Sequence, residues 1–456
     1  MKNISYKNLP SVSKVLLLLN EDPSFLHEKY LKKLINIEIE KKRVEIEKGL
    51  NKKSSTQILN NILFEIKKKS SHSLKKVING TGIVLHTGLG RAPFTGKTLK
   101  KIADRLDGYV NLEFNLSNGK RGDRQEHIRE HLSSICDSES ALMVNNNAAA
   151  VMLSINEIAN NGEVIVSRGQ LVEIGGSFRI PDVIEKSGAR LKEVGTTNRT
   201  HLKDYSDAIT EKTKLLLFVH TSNYVLKGFI KSVPLEDLVV LGKENNIPVM
   251  VDWGSGSFLD MNKLRIANEE PINQILKKGP DLVTFSGDKL IGGSQSGIII
   301  GKDKIIKSLQ SNTLYRVLRC GKITIGLMEE TLRSYKINSF TDQNLSLKML
   351  TTTRKRLKNR GLKILGLLNK KTIKLLGMVL VESNVQAGSG SLPENKIESM
   401  ALSFKPKNLK LDKLSKKFRE GNIPVIGYIS EKIYYIDLKA VLSHQISLLA
   451  KAIESI

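Results

Sequence analysis

Six apolar runs punctuate the middle of the chain: Ala141–Val144, Val164–Val166, Leu215–Val219, Val249–Val251, Leu282–Phe285 and Ile298–Ile300. Helix-like stretches separate them. Strands alternating with helices in this way predict a doubly wound α/β domain with a mostly parallel sheet. In such a sheet the ligand site lies beyond the carboxyl ends of the strands. The polar residues just after the runs are therefore expected to converge.

Those polar residues carry a specific chemistry. Leu282–Phe285 leads into Ser286-Gly287-Asp288-Lys289 and then Leu290-Ile291-Gly292-Gly293. A lysine at the end of a buried strand is desolvated, its pKa falls, and its amine becomes a nucleophile toward an aldehyde. A pyridoxal phosphate Schiff base requires such an amine, whereas a lysine that snorkels to solvent needs none. Asn145-Asn146-Asn147 precedes Ala148-Ala149-Ala150, a capped helix start whose free N–H groups suit a phosphate. Asp252, ahead of Gly254-Ser255-Gly256-Ser257, offers a carboxylate for a protonated pyridine nitrogen. Ser286 offers a hydroxyl to the same phosphate. Taken singly, the asparagines also read as a helix cap and Asp252 as a turn-forming residue.

These segments resemble the bacterial L-seryl-tRNA(Sec) selenium transferases, the selenocysteine synthase family. The resemblance runs from Leu9-Pro10-Ser11-Val12 through Val77–Gly82, Val144–Ala150, Ser167-Arg168-Gly169, Val172–Asp182 and Gly195–Thr200. It continues through His220–Tyr224, Asp252–Gly256, Phe285–Leu290 and Leu314–Arg319, nearly the whole chain. It implies the aspartate aminotransferase type of pyridoxal phosphate fold (fold type I). It also implies conversion of seryl-tRNA(Sec) to selenocysteinyl-tRNA(Sec), by loss of the serine β-hydroxyl as water and addition of selenium from selenophosphate. Lys289 and Asp288 then stand as catalytic residues, and Asp252, Asn146, Asn147, Ser286 and His220 join Lys289 around the cofactor. His220 reads equally as a hydrogen-bonded strand-end histidine. Selenophosphate, a small dense anion, calls for guanidinium forks. Arg91, Arg124, Arg316 and Arg319 match the family's anion-site motifs, with Thr196 and Thr197 as hydroxyl donors. Ion pairing on loops is the other reading of the arginines, Arg121 among them. The resemblance further implies a homo-oligomer, a homodecamer. The chain departs from the family pattern at Cys320-Gly321-Lys322, at Tyr428 where relatives commonly carry arginine, at Trp253, and at Gln170 where glutamate is usual.

At 456 residues the chain exceeds one core. Residues 1–76 lack strand signals and place leucines at helical spacing amid dense charge, which reads as a helical domain. Residues 77–321 hold the alternating pattern and form the large cofactor domain. Residues 322–456 start with a basic helical stretch containing Arg354–Arg360, then give short strands at Met378–Val381 and Ile433–Ile436, and read as a small α+β domain. The net charge of +26 favours a polyanionic partner, although scattered lysines also form solvated faces. With the resemblance, that partner is tRNA and residues 1–76 are its binding domain. Cys136 and Cys320 cannot make a zinc site with no histidine cluster nearby, so no metal is expected. The apolar run Val15–Leu19 is too short to span a membrane, and a cytoplasmic protein is expected. The alternative within the same broad class is a pyridoxal phosphate lyase or aldolase acting on a small amino acid or amino-sugar phosphate without tRNA. A basic RNA-binding protein on a dead enzyme scaffold is the reading from another class, and Lys289 and Asp252 speak against it.

Overall fold

The computed structural model describes residues 6–19, 27–50, 53–175, 178–221, 224, 226–264, 266, 269–388 and 396–456. Gly176-Ser177 and Ser222-Asn223, parts of two of the strings above, lie outside them. The chain divides into two compact units, Met1–Val77 and Ile78–Ile456.

The first unit is helical: α1 (Val12–Leu19), α2 (Glu28–Glu47) and α3 (Ser55–Ser70). Ile58, Ile62 and Ile66 recur every fourth residue along α3 and are buried against Val15 of α1 and Leu31, Ile35 and Ile39 of α2. Ser54 caps α3, its side chain accepting from Gln57 N–H while the Gln57 side chain accepts from Ser54 N–H. The buried carboxylate of Glu38 accepts from Lys69 and Lys41.

The second unit contains a seven-stranded sheet. Its strands are β1 (Ser140–Val144), β2 (Glu163–Ser167), β3 (Arg190–Val194), β4 (Thr213–Val219), β5 (Val249–Asp252), β6 (Leu282–Ser286) and β7 (Gly297–Gly301). They lie in the order β1-β7-β6-β5-β4-β2-β3. Only β7 runs antiparallel to its neighbours, so the mostly parallel α/β sheet expected from the sequence is borne out. Each of the six apolar runs is a strand. Alternate residues feed two cores: Val249, Val251, Val283 and Phe285 pack on one face, and Leu142, Val144, Met250 and Ile299 on the other. Burial on both faces is why these strands read as continuous apolar runs. β3, Arg-Leu-Lys-Glu-Val, was not among the runs; it is an edge strand, and its exposed side tolerates charge.

A second sheet lies toward the C-terminus, β8 (Met378–Val385), β9 (Ile397–Phe404), β10 (Tyr428–Ser430) and β11 (Ile433–Asp437), antiparallel in the order β8-β9-β11-β10. Leu357 and Ile364 of the basic helix Arg354–Gly366 pack onto it. Ile78-Asn79 pairs in parallel with Val425-Ile426, and Asp437 N–H donates to Gly80 C=O at 2.8 Å, which ties the start of this unit to that sheet.

Candidate active site

β1, β5 and β6 all end at one rim of the large sheet. Beyond β1, Asn146 adopts an extended backbone and its side chain accepts from Ala149 N–H at 2.9 Å, starting the helix α4 (Asn147–Ala159). The cap reading holds for Asn146. Asn147, one residue on, donates its amide to Asp252 Oδ1 at 2.8 Å. The same oxygen accepts from Thr284 Oγ1 at 3.2 Å, because Asp252 and Thr284 are register partners on β5 and β6. Asp252 is buried, and desolvation pushes its carboxyl above the ordinary range against these two hydrogen bonds and the charge of Lys289.

Lys289 sits on the tight turn after β6. Gly287 leaves no room for a side chain there, since a Cβ would collide with Ser296 Oγ and Met328 Cε. The lysine is 8% exposed. Burial lowers the pKa of its amine, Arg91 lowers it further, and Asp252, Asp288 and Glu269 oppose the shift. Gly254 gives a measure of the convergence. A methyl group there would lie 3.8 Å from Lys289 Nζ, 3.9 Å from Asn147 Nδ2 and 3.9 Å from Asp252 Oδ1. An amine, an amide and a carboxylate thus face one small recess that the absence of a side chain keeps open. Ser286, buried, closes β6 beside it.

His220 comes directly after β4, its N–H donating to Asp252 C=O at 2.9 Å. Its ring stacks on Trp253 with centroids 3.7 Å apart and planes 6° from parallel. Burial, with Lys289 nearby, pulls the imidazole down to about 4. Glu269, which no motif marked, is buried near His220; Ser255 Oγ donates to its Oε1, and burial pushes its carboxyl up to about 7.

The arginines divide into two groups. Arg91 Nη1 donates to both oxygens of Asp288 at 3.1 Å, beside Lys289. Arg121, Arg124 and Arg319 all converge on Glu113, which sequence reasoning also missed; Arg124 Nη1 further donates to Cys320 C=O at 2.6 Å. Arg319 bridges Val144 at the end of β1, and Asn145 N–H donates to Leu318 C=O at 3.0 Å, so this cluster borders the start of α4. Arg316 is exposed and lines, with Arg121 and Arg319, a cleft of about 380 Å³. Thr196 and Thr197 are exposed on the loop after the edge strand β3, where Thr196 Oγ1 donates to Arg199 C=O at 3.0 Å within its own turn. Among the described residues no cluster of three metal-binding side chains occurs.

The family model for L-seryl-tRNA selenium transferase matches residues 77–442. Relatives extend over nearly the whole chain. The L-seryl-tRNA(Sec) selenium transferase of Caldanaerobacter subterraneus subsp. tengcongensis is 41% identical over 99% of this chain and 98% of its own length. That of Aquifex aeolicus is 38% identical over 99% and 98%. Among solved structures, D-glucosaminate-6-phosphate ammonia-lyase superposes with a TM-score of 0.60 over 84% of this chain and 95% of its own, at 20% identity, a likeness of fold.

Proposed function

The chain belongs to the L-seryl-tRNA selenium transferase family and converts seryl-tRNA(Sec) to selenocysteinyl-tRNA(Sec); we propose that it does so with pyridoxal phosphate held at Lys289 and selenium from selenophosphate. The observation that carries this reading is the recess at Gly254, where a buried amine of lowered pKa, a buried carboxylate and an amide meet. These groups fit the cofactor: Lys289 for its aldehyde, Asp252 for its ring nitrogen, Ser286 and the start of α4 for its phosphate. Asn147 Oδ1, buried without a hydrogen-bond partner among the described residues, adds unused polar capacity at the same place. When bound, pyridoxal phosphate supplies an electrophilic carbon and an electron sink.

The residues divide the remaining work. Lys289, with its lowered pKa, holds a larger share of neutral amine than an exposed lysine and takes the proton from the serine α-carbon. Asp252, oriented by Asn147 and Thr284, keeps a proton on the pyridine nitrogen. Asp288, clamped by Arg91, sets the electrostatic field at the amine. Arg316 and Arg319 provide guanidinium groups for the phosphorus-bearing anion, with Glu113 fixing Arg319 and Arg124. Residues 1–76 are the tRNA-binding domain, 77–321 the cofactor domain and 322–456 the small domain. The assembly is a homo-oligomer, a homodecamer in the family's manner, and the enzyme works in the cytoplasm. Among the described residues no helix is long and apolar enough to cross a membrane. The lyase reading has less support, since the 20% likeness to D-glucosaminate-6-phosphate ammonia-lyase carries the fold alone.

The test is incubation of the purified chain with seryl-tRNA(Sec), selenophosphate and pyridoxal phosphate. Selenocysteinyl-tRNA is the expected product. Cofactor uptake without that product would shift the assignment to the tRNA-independent reading.

A further inference from the structure

Two buried polar side chains near Lys289 face one another, each with one atom left without a partner. His220 Nδ1 lies 3.8 Å from Glu269 Oε1, and neither Nδ1 nor Glu269 Oε2 has a hydrogen bond among the described residues. The ring cannot swing away freely, because Trp253 is stacked against it at 3.7 Å. The carboxylate is pinned through Oε1 by the Ser255 hydroxyl. A displacement under about 1 Å brings the pair to hydrogen-bond length. The His220 side chain is 24% exposed while its Nδ1 is fully buried, so the accessible edge of the ring is the one away from Glu269.

We propose that Glu269 is a positioning residue that sets the tautomer of His220. As the acid, Glu269 donates O–H to Nδ1, and the neutral imidazole carries its proton on Nε2. As the carboxylate, it accepts from Nδ1–H and leaves Nε2 a bare acceptor. One proton leaves Glu269 for solvent, and the imidazole proton changes nitrogen; nothing else is gained or lost. The exposed edge of His220 thereby changes from donor to acceptor with no change in the ring's own charge. Burial places the exchange near neutrality, since the Glu269 carboxyl is raised to about 7 while the imidazole stays neutral down to about 4. The Ser255 hydroxyl, the Trp253 indole and Lys289 favour the carboxylate of Glu269, Glu270 favours the acid, and Lys289 also opposes protonation of His220. Asp252, Asp288 and Arg91 act on it through Lys289. The inference concerns the chain's own side chains and rests on the proposed reaction only for what the outer edge of His220 then meets.

The experiment is a solid-state ¹⁵N spectrum of the full-length, histidine-labelled protein without added cofactor between about pH 5.5 and 8.5. The His220 signals are assigned by their loss in His220→Asn. In the unsubstituted protein the bare-nitrogen signal is expected to pass from Nδ1 to Nε2 as pH rises through about 7. In Glu269→Gln the tautomer is expected to be the same throughout. Trp253, the only tryptophan, gives a second readout: its fluorescence is expected to titrate with the same midpoint, and to lose that midpoint in both Glu269→Gln and His220→Phe. A single tautomer across the range in the unsubstituted protein would overturn the proposal, as would a switch that persists in Glu269→Gln. Either result leaves the selenium-transfer assignment standing.

Discussion

Replacing Arg91 with alanine isolates the electrostatics of the lysine. Arg91 Nη1 reaches both oxygens of Asp288 at 3.1 Å, with side-chain exposures of 28% and 9% for the two residues. A charged hydrogen bond contributes about 1.5–3 kcal/mol; one shared donor on a partly wetted arginine belongs near the low end, about 2 kcal/mol. Arg91 also sits in the left-handed backbone region at φ 55°, a strain that the ion pair offsets and that alanine would retain. The larger consequence falls on Lys289. Arg91 is the main influence after burial that lowers its amine, and removing it also leaves the Asp288 charge unmatched beside that amine. Both changes favour the ammonium form. At an effective dielectric of about 20, the loss of one nearby charge is worth on the order of 1–2 kcal/mol, or about tenfold less free amine at a given pH. The pH midpoint for cofactor uptake by the apoprotein should therefore rise by about one in Arg91→Ala, and Arg91→Lys should recover part of it. Absorbance of bound cofactor against pH, beside a thermal melt, measures both effects. A lower melting temperature with an unmoved pH midpoint would refute the electrostatic role. No change in either would show that the ion pair contributes nothing in solution.

Lys289→Ala should abolish both the absorbance of lysine-bound cofactor and selenium transfer while leaving the circular dichroism spectrum unchanged; full activity would sink the assignment. Asp252→Asn should still take up cofactor but lose most turnover, and retained turnover would move the ring-nitrogen role elsewhere. Lys439 is buried and its amine lies at about 8 instead of 10.5, so the unfolded chain binds more protons between those values and this residue makes stability rise with pH across them. Lys439→Met should remove that rise and stabilise the protein at pH 7 by up to about 3 kcal/mol, less what is lost with the 2.9 Å hydrogen bond to Thr352 C=O; chemical denaturation at pH 7 and 10 decides it. Deleting about residues 1–70 should weaken tRNA binding and its salt dependence without removing the cofactor absorbance, and unchanged affinity would turn attention to the basic helix Arg354–Gly366.

Much of the site is legible in the sequence. Lys289, Asp252 and Asn147 come at the ends of apolar runs, and the rule that parallel strands present their ligand at their carboxyl ends brings them together. Trp253 was legible as a departure, though its stacking on His220 was not. Thr196 and Thr197 were marked by motif, and that Thr196 Oγ1 also closes its own turn on Arg199 C=O appeared only in the structure. Glu269 and Glu113 left no sequence signal at all. Glu269 stands beside Glu270, and Glu113 alternates with Leu112 and Phe114 as a solvent-facing residue would, so neither is distinguishable locally from a solvated glutamate.

The sequence by itself determined six of the seven strands of the large sheet, the class of fold and the side chains at the strand ends. Hydrophobic pattern and turn chemistry are local, and the period of the backbone turns them directly into structure. Only the tertiary structure decided which charge meets which. Arg91 and Asp288 are 197 residues apart, Asn147 and Asp252 105, and Arg319 and Glu113 206. Such pairings depend on the order in which strands enter the sheet. The electrostatics of Lys289, His220 and Glu269 depend in turn on burial that exists only once the sheet and its covering helices have closed over them.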